Sequence, residues 1–492
     1  MFIEQTIRSS SKREAAYRRV STEYLVVAER CICYKAIGKG SSLVIKEINL
    51  SKSFPIRAEM KDDRIAVVLR KIIAGEVSSL QLRTLLGKEL SIGKSNLDIT
   101  VRDSELIITI HTVLDLQVDE VKVANIAGEL ISKLLPPTLR NKVTGKKLVY
   151  VARASGIPLI GRIDFGIIDR GTNLIQVRPI TGCILDCPFC SVDSGTSSQT
   201  RITDFIVDPD YMVEEVRKLC EFKGSKSIEL HIDGQGEPTL YPYLVQLVRR
   251  LSEISGVDTI SLQTNGVLLT KELIDDLEEA GLSRINLSIN SLDNSKASTM
   301  SGTDNYDLKH ILDIAEYVRD SKIALLLAPL WVPGLNDDDI REMIQFVRKF
   351  GIRSKWPVLG IQNYLIHRHG RKVKGIQSCS MEHFRYELGK LVRIFDAPSL
   401  VLSRDDFGIT KMDSYQRPFR VGEKVEVEIV EQGRLVGEMV GVARGRALHV
   451  LTKENKTGVR KSVQITRTKH NIFIGTTAEK RFASLSEAKL DY

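Results

Sequence analysis

Three textures of apolar and polar positions follow one another along the chain. Residues 1–150 mix short helical patterns such as TEYLVVAER with alternating runs such as LDITVRDSELIITIHTVLDL. They close on LISKLLPPTLR, where a double proline stops a helix. This reads as an N-terminal α+β domain. From 165 to 400, strand-like runs (LIQVRPI, IELHIDG, TISLQTN, RINLSIN, IALLLAPLWV, KWPVLGI) alternate with amphipathic stretches such as DYMVEEVRKLCEF and KELIDDLEEAGL. Repeated strand and helix units predict an α/β fold, a parallel sheet covered by helices and either open or curled into a barrel. From 415 to 480 the pattern is purely strand-like: VEVEIV, LVGEMVGVA, RALHVLT, VRKSVQITRT and HNIFIG, parted by Gly-bearing turns. Five short strands without a helix predict a C-terminal OB-like β-barrel.

Composition adds limits to this picture. A chain of 492 residues exceeds the usual single-domain size, and 42% hydrophobic with 27% charged residues is ordinary for a soluble globular protein. No run of eighteen apolar residues occurs, so no membrane association is expected. The basic start MFIEQTIRSSSKREAAYRR lacks the apolar core of a secretory signal, which predicts a cytoplasmic location. Seven cysteines are too few and too unevenly placed for a disulfide framework, and three fall within eight positions, which favours metal or redox use. The net charge is +9, and the segment from Arg417 to Ala478 holds twelve Lys or Arg against six Glu. That segment is the candidate binder of a polyanion.

The cysteines stand in LIQVRPITGCILDCPFCSVDSG, where Cys183, Cys187 and Cys190 form C-x3-C-x2-C directly after the first strand of the strand-helix region. The C-terminal ends of parallel strands are where such folds build active sites. Three thiolates on one short loop can each ligate one iron of a single cluster and leave a fourth iron open. A zinc knuckle would need a fourth Cys or His close by, and none is found; three incidental cysteines are the remaining reading.

On this motif, with Phe189 at its aromatic position, the chain resembles the radical S-adenosylmethionine (SAM) superfamily, and within it an archaeal-type group of Fe-S oxidoreductases. The resemblance implies a partial (βα)6 barrel and a 4Fe-4S cluster on Cys183, Cys187 and Cys190. It also implies SAM chelated to the open iron and cleaved by one electron to a 5′-deoxyadenosyl radical. An electron donor such as ferredoxin or flavodoxin is then a partner. Later strand ends fit the same family. IDGQGEP (Gly234, Gln235, Gly236, Glu237) looks like its GGE-type motif for the SAM amino group. SLQTNG (Thr264, Asn265) and LSINSLD (Ser288, Asn290) offer polar groups for the ribose and carboxylate, although many relatives have Asp where Asn290 stands. WVPGLNDDD, with Gly334, is similar to the family's turn near the adenine.

The C-terminal stretch PFRVGEKVEVEIVEQGRLVGEMVGVARGRALHVLT with GVRKSVQITRTKHNIFIG resembles a TRAM domain, a small barrel attached to RNA-modifying enzymes. The resemblance makes Arg444, Arg446, Lys453, Lys456, Arg460, Lys461, Arg467 and Lys469 candidate RNA phosphate contacts, with Phe473 the only aromatic in the strands. Three groups of residues are left over. Cys31 and Cys33 are buried structural thiols, or an auxiliary cluster with Cys220 or Cys379. Cys379 compares with the methyl-carrying cysteine of C2-methyladenosine synthases, although GIQSCSMEHF does not match their motif. Asn363, Tyr364, His367, Arg368, Arg371 and Lys372 are candidate substrate contacts or an exposed basic loop.

The expected function is a radical SAM enzyme modifying a nucleoside in tRNA or rRNA. Methylthiotransferases pair the same two modules, but their N-terminal domain carries a second three-cysteine cluster, whereas residues 1–150 here contain two cysteines. Chemistry on a small molecule or peptide, of the cofactor-building or maturase type, is the alternative. A non-catalytic RNA-binding metalloprotein is the third reading.

Overall fold

The computed structural model describes residues 44–477 apart from 54–55, 70–72, 94–95, 113–118, 136–137, 225 and 353. Cys31, Cys33 and the TEYLVVAER pattern lie outside the described residues. The chain divides between Val149 and Tyr150 into two compact units.

In the first unit, β2 (Ile56–Lys61), β3 (Arg64–Leu69) and β4 (Ile73–Ser78) form an antiparallel meander. A second antiparallel sheet places β6 (Glu105–Thr112) between β1 (Val44–Asn49) and β5 (Leu97–Arg102). Buried positions alternate along β4 and β5, the two-residue period that a half-buried strand requires. Helix α1 (Ser79–Leu90) starts where Ser78 Oγ accepts from Gln81 N–H, and α2 (Glu120–Leu134) where Asp119 accepts from Lys122 N–H. Helix α2 ends just before the double proline of the sequence.

In the second unit five strands run parallel in the order β13-β12-β11-β10-β8: β8 (Leu174–Arg178), β10 (Ile228–Ile232), β11 (Val257–Thr264), β12 (Arg284–Leu287) and β13 (Ala324–Leu327). An antiparallel edge, β7 (Gly166–Asp169), flanks β8. The expected sixth strand, KWPVLGI, is reduced to one bridge, Leu359 to Leu327. Two bonds remain there, Leu327 N–H to Val358 O and Gly360 N–H to Leu327 O. Amphipathic helices cover the outer face, among them α3 (Pro209–Phe222), α4 (Leu244–Ser252), α5 (Lys271–Glu279), α7 (Leu308–Asp320) and α8 (Asp337–Phe350), whereas the short polar α6 (Asn294–Ser301) buries Ala297, Met300 and Ser301.

The strands bury Ile175, Val177, Leu230, Ile232, Ile260, Leu262, Ile285 and Leu287 in the core. The alternate positions are polar and bond one another. Arg178 Nη2 and Gln176 Nε2 both reach Asp233, at 2.8 and 2.7 Å. Ser261 Oγ and Arg284 Nη2 both donate to Glu229, and His231 Nδ1 lies 2.8 Å from Ser261 Oγ. Burial alone would raise the Asp233 carboxyl, but the Arg178 guanidinium holds it below the usual range; burial lowers His231.

After α9 (Met381–Phe395), five strands close a barrel in the order β14-β15-β16-β18-β17: β14 (Lys424–Gln432), β15 (Glu438–Ala443), β16 (Arg446–Leu451), β17 (Val459–Arg467) and β18 (Ile474–Thr476). Its interior is apolar, built on Val427, Ile429, Leu448, Val450, Val463 and Phe473. Segment 160–165 fixes this barrel to the rest of the unit. Ala447 N–H bonds Ile160 O, and Phe473 N–H bonds Gly161 O at 2.8 Å. Gly161 is required here, since a Cβ would stand 1.9 Å from Ala447 O. Asp164, Glu438 and His449 form, among the described residues, a set of ligating groups within 4.8 Å of one another. The buried Arg162 guanidinium already supplies their cation, at 2.7 Å from Glu438, and His449 Nε2 accepts from Ile163 N–H, so the cluster is an interface lock.

Candidate functional site

The cysteine loop, 181–201, leaves β8 at its C-terminal end and leads to β9 (Thr203–Val207). Leu185 N–H donates to Cys183 Sγ at 3.4 Å, Asn265 Nδ2 to the same sulfur at 3.8 Å, and Ser194 N–H to Cys190 Sγ at 3.3 Å. Donors aimed at sulfur favour the thiolate, the form that binds metal. Burial pushes the Cys183 thiol well up, helped by the nearby Glu237 charge, and burial with the neighbouring Cys190 pushes Cys187 up to about 12. A cationic group at the sulfurs relieves that penalty.

Three thiols on one short loop, an all-sulfur donor set, fit an iron-sulfur cluster in which one iron is left without a protein ligand.

The cysteines line a cavity of about 370 Å³. Of the residues singled out from the sequence, Phe189, Gly234, Gly236, Glu237, Thr264, Asn265, Ser288 and Asn290 line it as well. Gly236 pairs with Gly182 across strand ends, and a Cβ there would lie 2.0 Å from Gly182 O. Glu237 is buried, and its Oε1 accepts from Thr239 N–H, Thr239 Oγ1 and Thr264 Oγ1 at 3.0, 2.7 and 2.7 Å. Oε2 accepts only Asn265 N–H, at 2.8 Å, so this oxygen keeps capacity for a ligand. Burial nonetheless raises the Glu237 carboxyl against these bonds.

Two of the sequence-derived residues stand elsewhere. Gln235 is turned behind the loop, its carbonyl accepting from Ser194 Oγ and its side chain from Arg434. Gly334 is in the turn before α8, where its N–H bonds Asp337 Oδ2, and does not reach the cavity. Arg371 is no free cation at the mouth. It clamps the cysteine loop, reaching Asp193 at 3.0 Å, Asp186 at 2.9 Å and Cys187 O at 3.0 Å, while Tyr364 is buried against Phe189 and Met300. Asn363, Tyr364 and His367 do line the cavity.

Sequence reasoning missed Gln263, Tyr306 and Gln362, which also line it. Gln263 occupies an inward position of TISLQTN and was open to detection by strand period; the other two sit on loops without a local signal. Cys220 is buried on α3, and Cys379 Sγ bonds Asn363 Oδ1 at 3.2 Å.

On the small barrel, several basic candidates are already engaged. Arg444 bonds Pro418 O and Glu423, Arg446 bonds Gln416 O above the Tyr415 ring, and Lys461 bonds Glu454. Arg460 faces Glu428 across the ladder. Phe473 is in the core and cannot stack on a base.

The Radical SAM superfamily model matches residues 177–347, a span that holds the three cysteines and Gly236, Glu237, Thr264, Asn265, Ser288 and Asn290 of the cavity lining. The chain belongs to the radical SAM superfamily. Members of this superfamily use a 4Fe-4S cluster and SAM, and need an electron donor. An uncharacterized protein of Methanocaldococcus jannaschii is 40% identical over 365 residues, covering 70% of this chain and 84% of that protein. GTP 3′,8-cyclase of Chlorobaculum tepidum is 26% identical over 237 residues, 44% of this chain and 68% of the cyclase. Among solved structures, methylornithine synthase aligns with a TM-score of 0.35 at 14% identity, covering 48% of this chain and 63% of that one. Among the described residues, no helix of this radical SAM protein is long and apolar enough to cross a membrane.

Proposed function

We propose that this radical SAM enzyme modifies a nucleoside within tRNA or rRNA, with Cys183, Cys187 and Cys190 holding the cluster and the cavity beside them holding SAM. The cluster with SAM supplies a carbon-centred radical suited to an unactivated C–H bond. The chain's own residues do the rest. The close approach at Gly236 shapes the cavity wall, and Glu237 Oε2 with the backbone at Gly234 and Gly236 accepts from the SAM amino group. Thr264, Asn265, Ser288 and Asn290 order the remaining polar groups, and Phe189 shields the loop from water. Residues 415–480 act as a TRAM-like RNA-binding module and residues 1–150 as a separate domain.

One observation carries the choice of substrate: beside the residues assigned to SAM, the cavity lining among the described residues contains the amides Gln263, Gln362 and Asn363 and no Lys or Arg. A free nucleoside triphosphate would bring its charge into a site without counter-charges. A nucleoside in a polynucleotide leaves its phosphates outside, and the amides suit a base edge. The barrel bears Lys453, Lys456 and Lys469 for such phosphates. Comparative mass spectrometry of tRNA and rRNA nucleosides, from cells with and without the gene, tests this reading. A missing modified nucleoside is expected; an unchanged profile would favour a small-molecule substrate, a reading to which the GTP 3′,8-cyclase similarity lends support.

A further inference from the structure

A buried positive charge stands behind the cysteine loop, and it comes from the small barrel. Arg434, on the turn between β14 and β15, is 1% exposed. Its Nη1 donates to Gln235 Oε1 and its Nη2 to Ser194 Oγ, each at 2.7 Å, and both partners are neutral. Its Nε is buried without a hydrogen-bond partner. Among the described residues no carboxylate forms an ion pair with it. Asp204 and Asp164 attract it from further away, while Arg201 repels it. Burial, aided by that repulsion, takes the guanidinium down to about 10, still protonated at neutral pH. Arg201 is buried too and bonds only carbonyls, Val192 O at 2.5 Å and His369 O at 3.4 Å. Two guanidiniums buried without a hydrogen-bonded carboxylate are costly unless an anion stands against them. Ser194 shows where that anion belongs: its Oγ takes Arg434, and its N–H points to Cys190 Sγ. The turn is fixed in place by pairing with the end of the cysteine loop, Ile202 N–H to Arg434 O and the Arg201 to Leu435 bridge.

We propose that Arg434 is a positioning residue that supplies counter-charge to the iron-sulfur cluster through Ser194 and Gln235, so that the small barrel helps set the cluster's reduction potential. This rests on the reading of Cys183, Cys187 and Cys190 as its ligands. A cluster on three thiolates is anionic and gains one more negative charge on reduction, so a fixed cation favours the reduced form. The barrel is then part of the redox machinery, beyond any role in holding a substrate.

The test is an anaerobic redox titration, followed by electron paramagnetic resonance, of the reconstituted full-length chain. Arg434→Gln keeps a donor and removes the charge; Arg434→Lys keeps the charge. At the wild-type midpoint, Arg434→Gln should lower the ratio of reduced to oxidised cluster about tenfold, equivalent to about 59 mV. Arg434→Lys should stay within about twofold. A wild-type midpoint in Arg434→Gln, or an equal shift in both variants, overturns the proposal. If the variants do not fold, hydrogen exchange on the wild-type protein decides: amides of 432–438 should exchange more slowly with the cluster than without it, and equal rates overturn the proposal. Absence of bound iron and sulfide in the wild-type protein instead overturns the reading of the cysteines.

Discussion

The two barrels within residues 150–477 are built on opposite plans. In the parallel half-barrel the inward positions are Gln176, Arg178, Glu229, His231, Ser261, Gln263 and Arg284, held by hydrogen bonds and ion pairs. In the closed barrel they are Val427, Ile429, Leu448, Val450, Val463 and Phe473, held by packing. A polar interior does not collapse, so it keeps room for a cofactor and a reacting group. An apolar interior packs to density and leaves only its outside for recognition. The cavity therefore belongs to the first barrel, and the second offers only its outer surface, with Arg434 crossing between them.

The largest expected effect is in the half-barrel. Cys187→Ala should abolish iron uptake, measured by iron and sulfide content, with the unfolding temperature of the apoprotein changed by less than about 2 °C. Gly236→Ala forces a Cβ to 2.0 Å from Gly182 O, and the displaced loop should slow SAM cleavage about a hundredfold in a rate assay. Stability should respond the other way round. Phe473→Ala in the closed barrel should cost about 3–5 kcal/mol by denaturant unfolding, whereas Ser288→Ala should cost within about 1 kcal/mol and weaken SAM binding.

Acid should single out the half-barrel. The Arg178 partner depresses the folded-state Asp233 carboxyl, so its stabilising contribution is present above about pH 4 and is lost as pH falls through the depressed value. Asp233→Asn should thus destabilise the protein at neutral pH, with the gap to wild type closing in acid when urea midpoints are compared. The smallest effect belongs to the barrel surface. Replacing Lys453 or Lys456 by Ala should each reduce the salt slope of RNA binding by about one.

Much of this was legible in the sequence because it is local. The cysteine loop, the Gly236 and Glu237 turn and five closely spaced strands announce themselves within ten or so residues. What stayed hidden depends on distant partners. Arg371 reads as part of a basic loop, yet it clamps Asp186, 185 residues earlier. Arg434 reads as one charge in a basic module, yet it meets Ser194, 240 residues earlier. Its neighbours Arg444 and Arg446 look available for RNA until folding brings Glu423 and Tyr415 to them. Net charge along a chain does not distinguish a cation facing water from one facing a carboxylate.

The central claim is that the half-barrel cavity performs radical SAM chemistry at Cys183, Cys187 and Cys190. Its most direct test is SAM cleavage by the anaerobically reconstituted, reduced full-length protein, wild type against Cys187→Ala. The account predicts 5′-deoxyadenosine and methionine from the wild type and background from the variant. No cleavage by a fully loaded wild type, or equal cleavage by both, would contradict it.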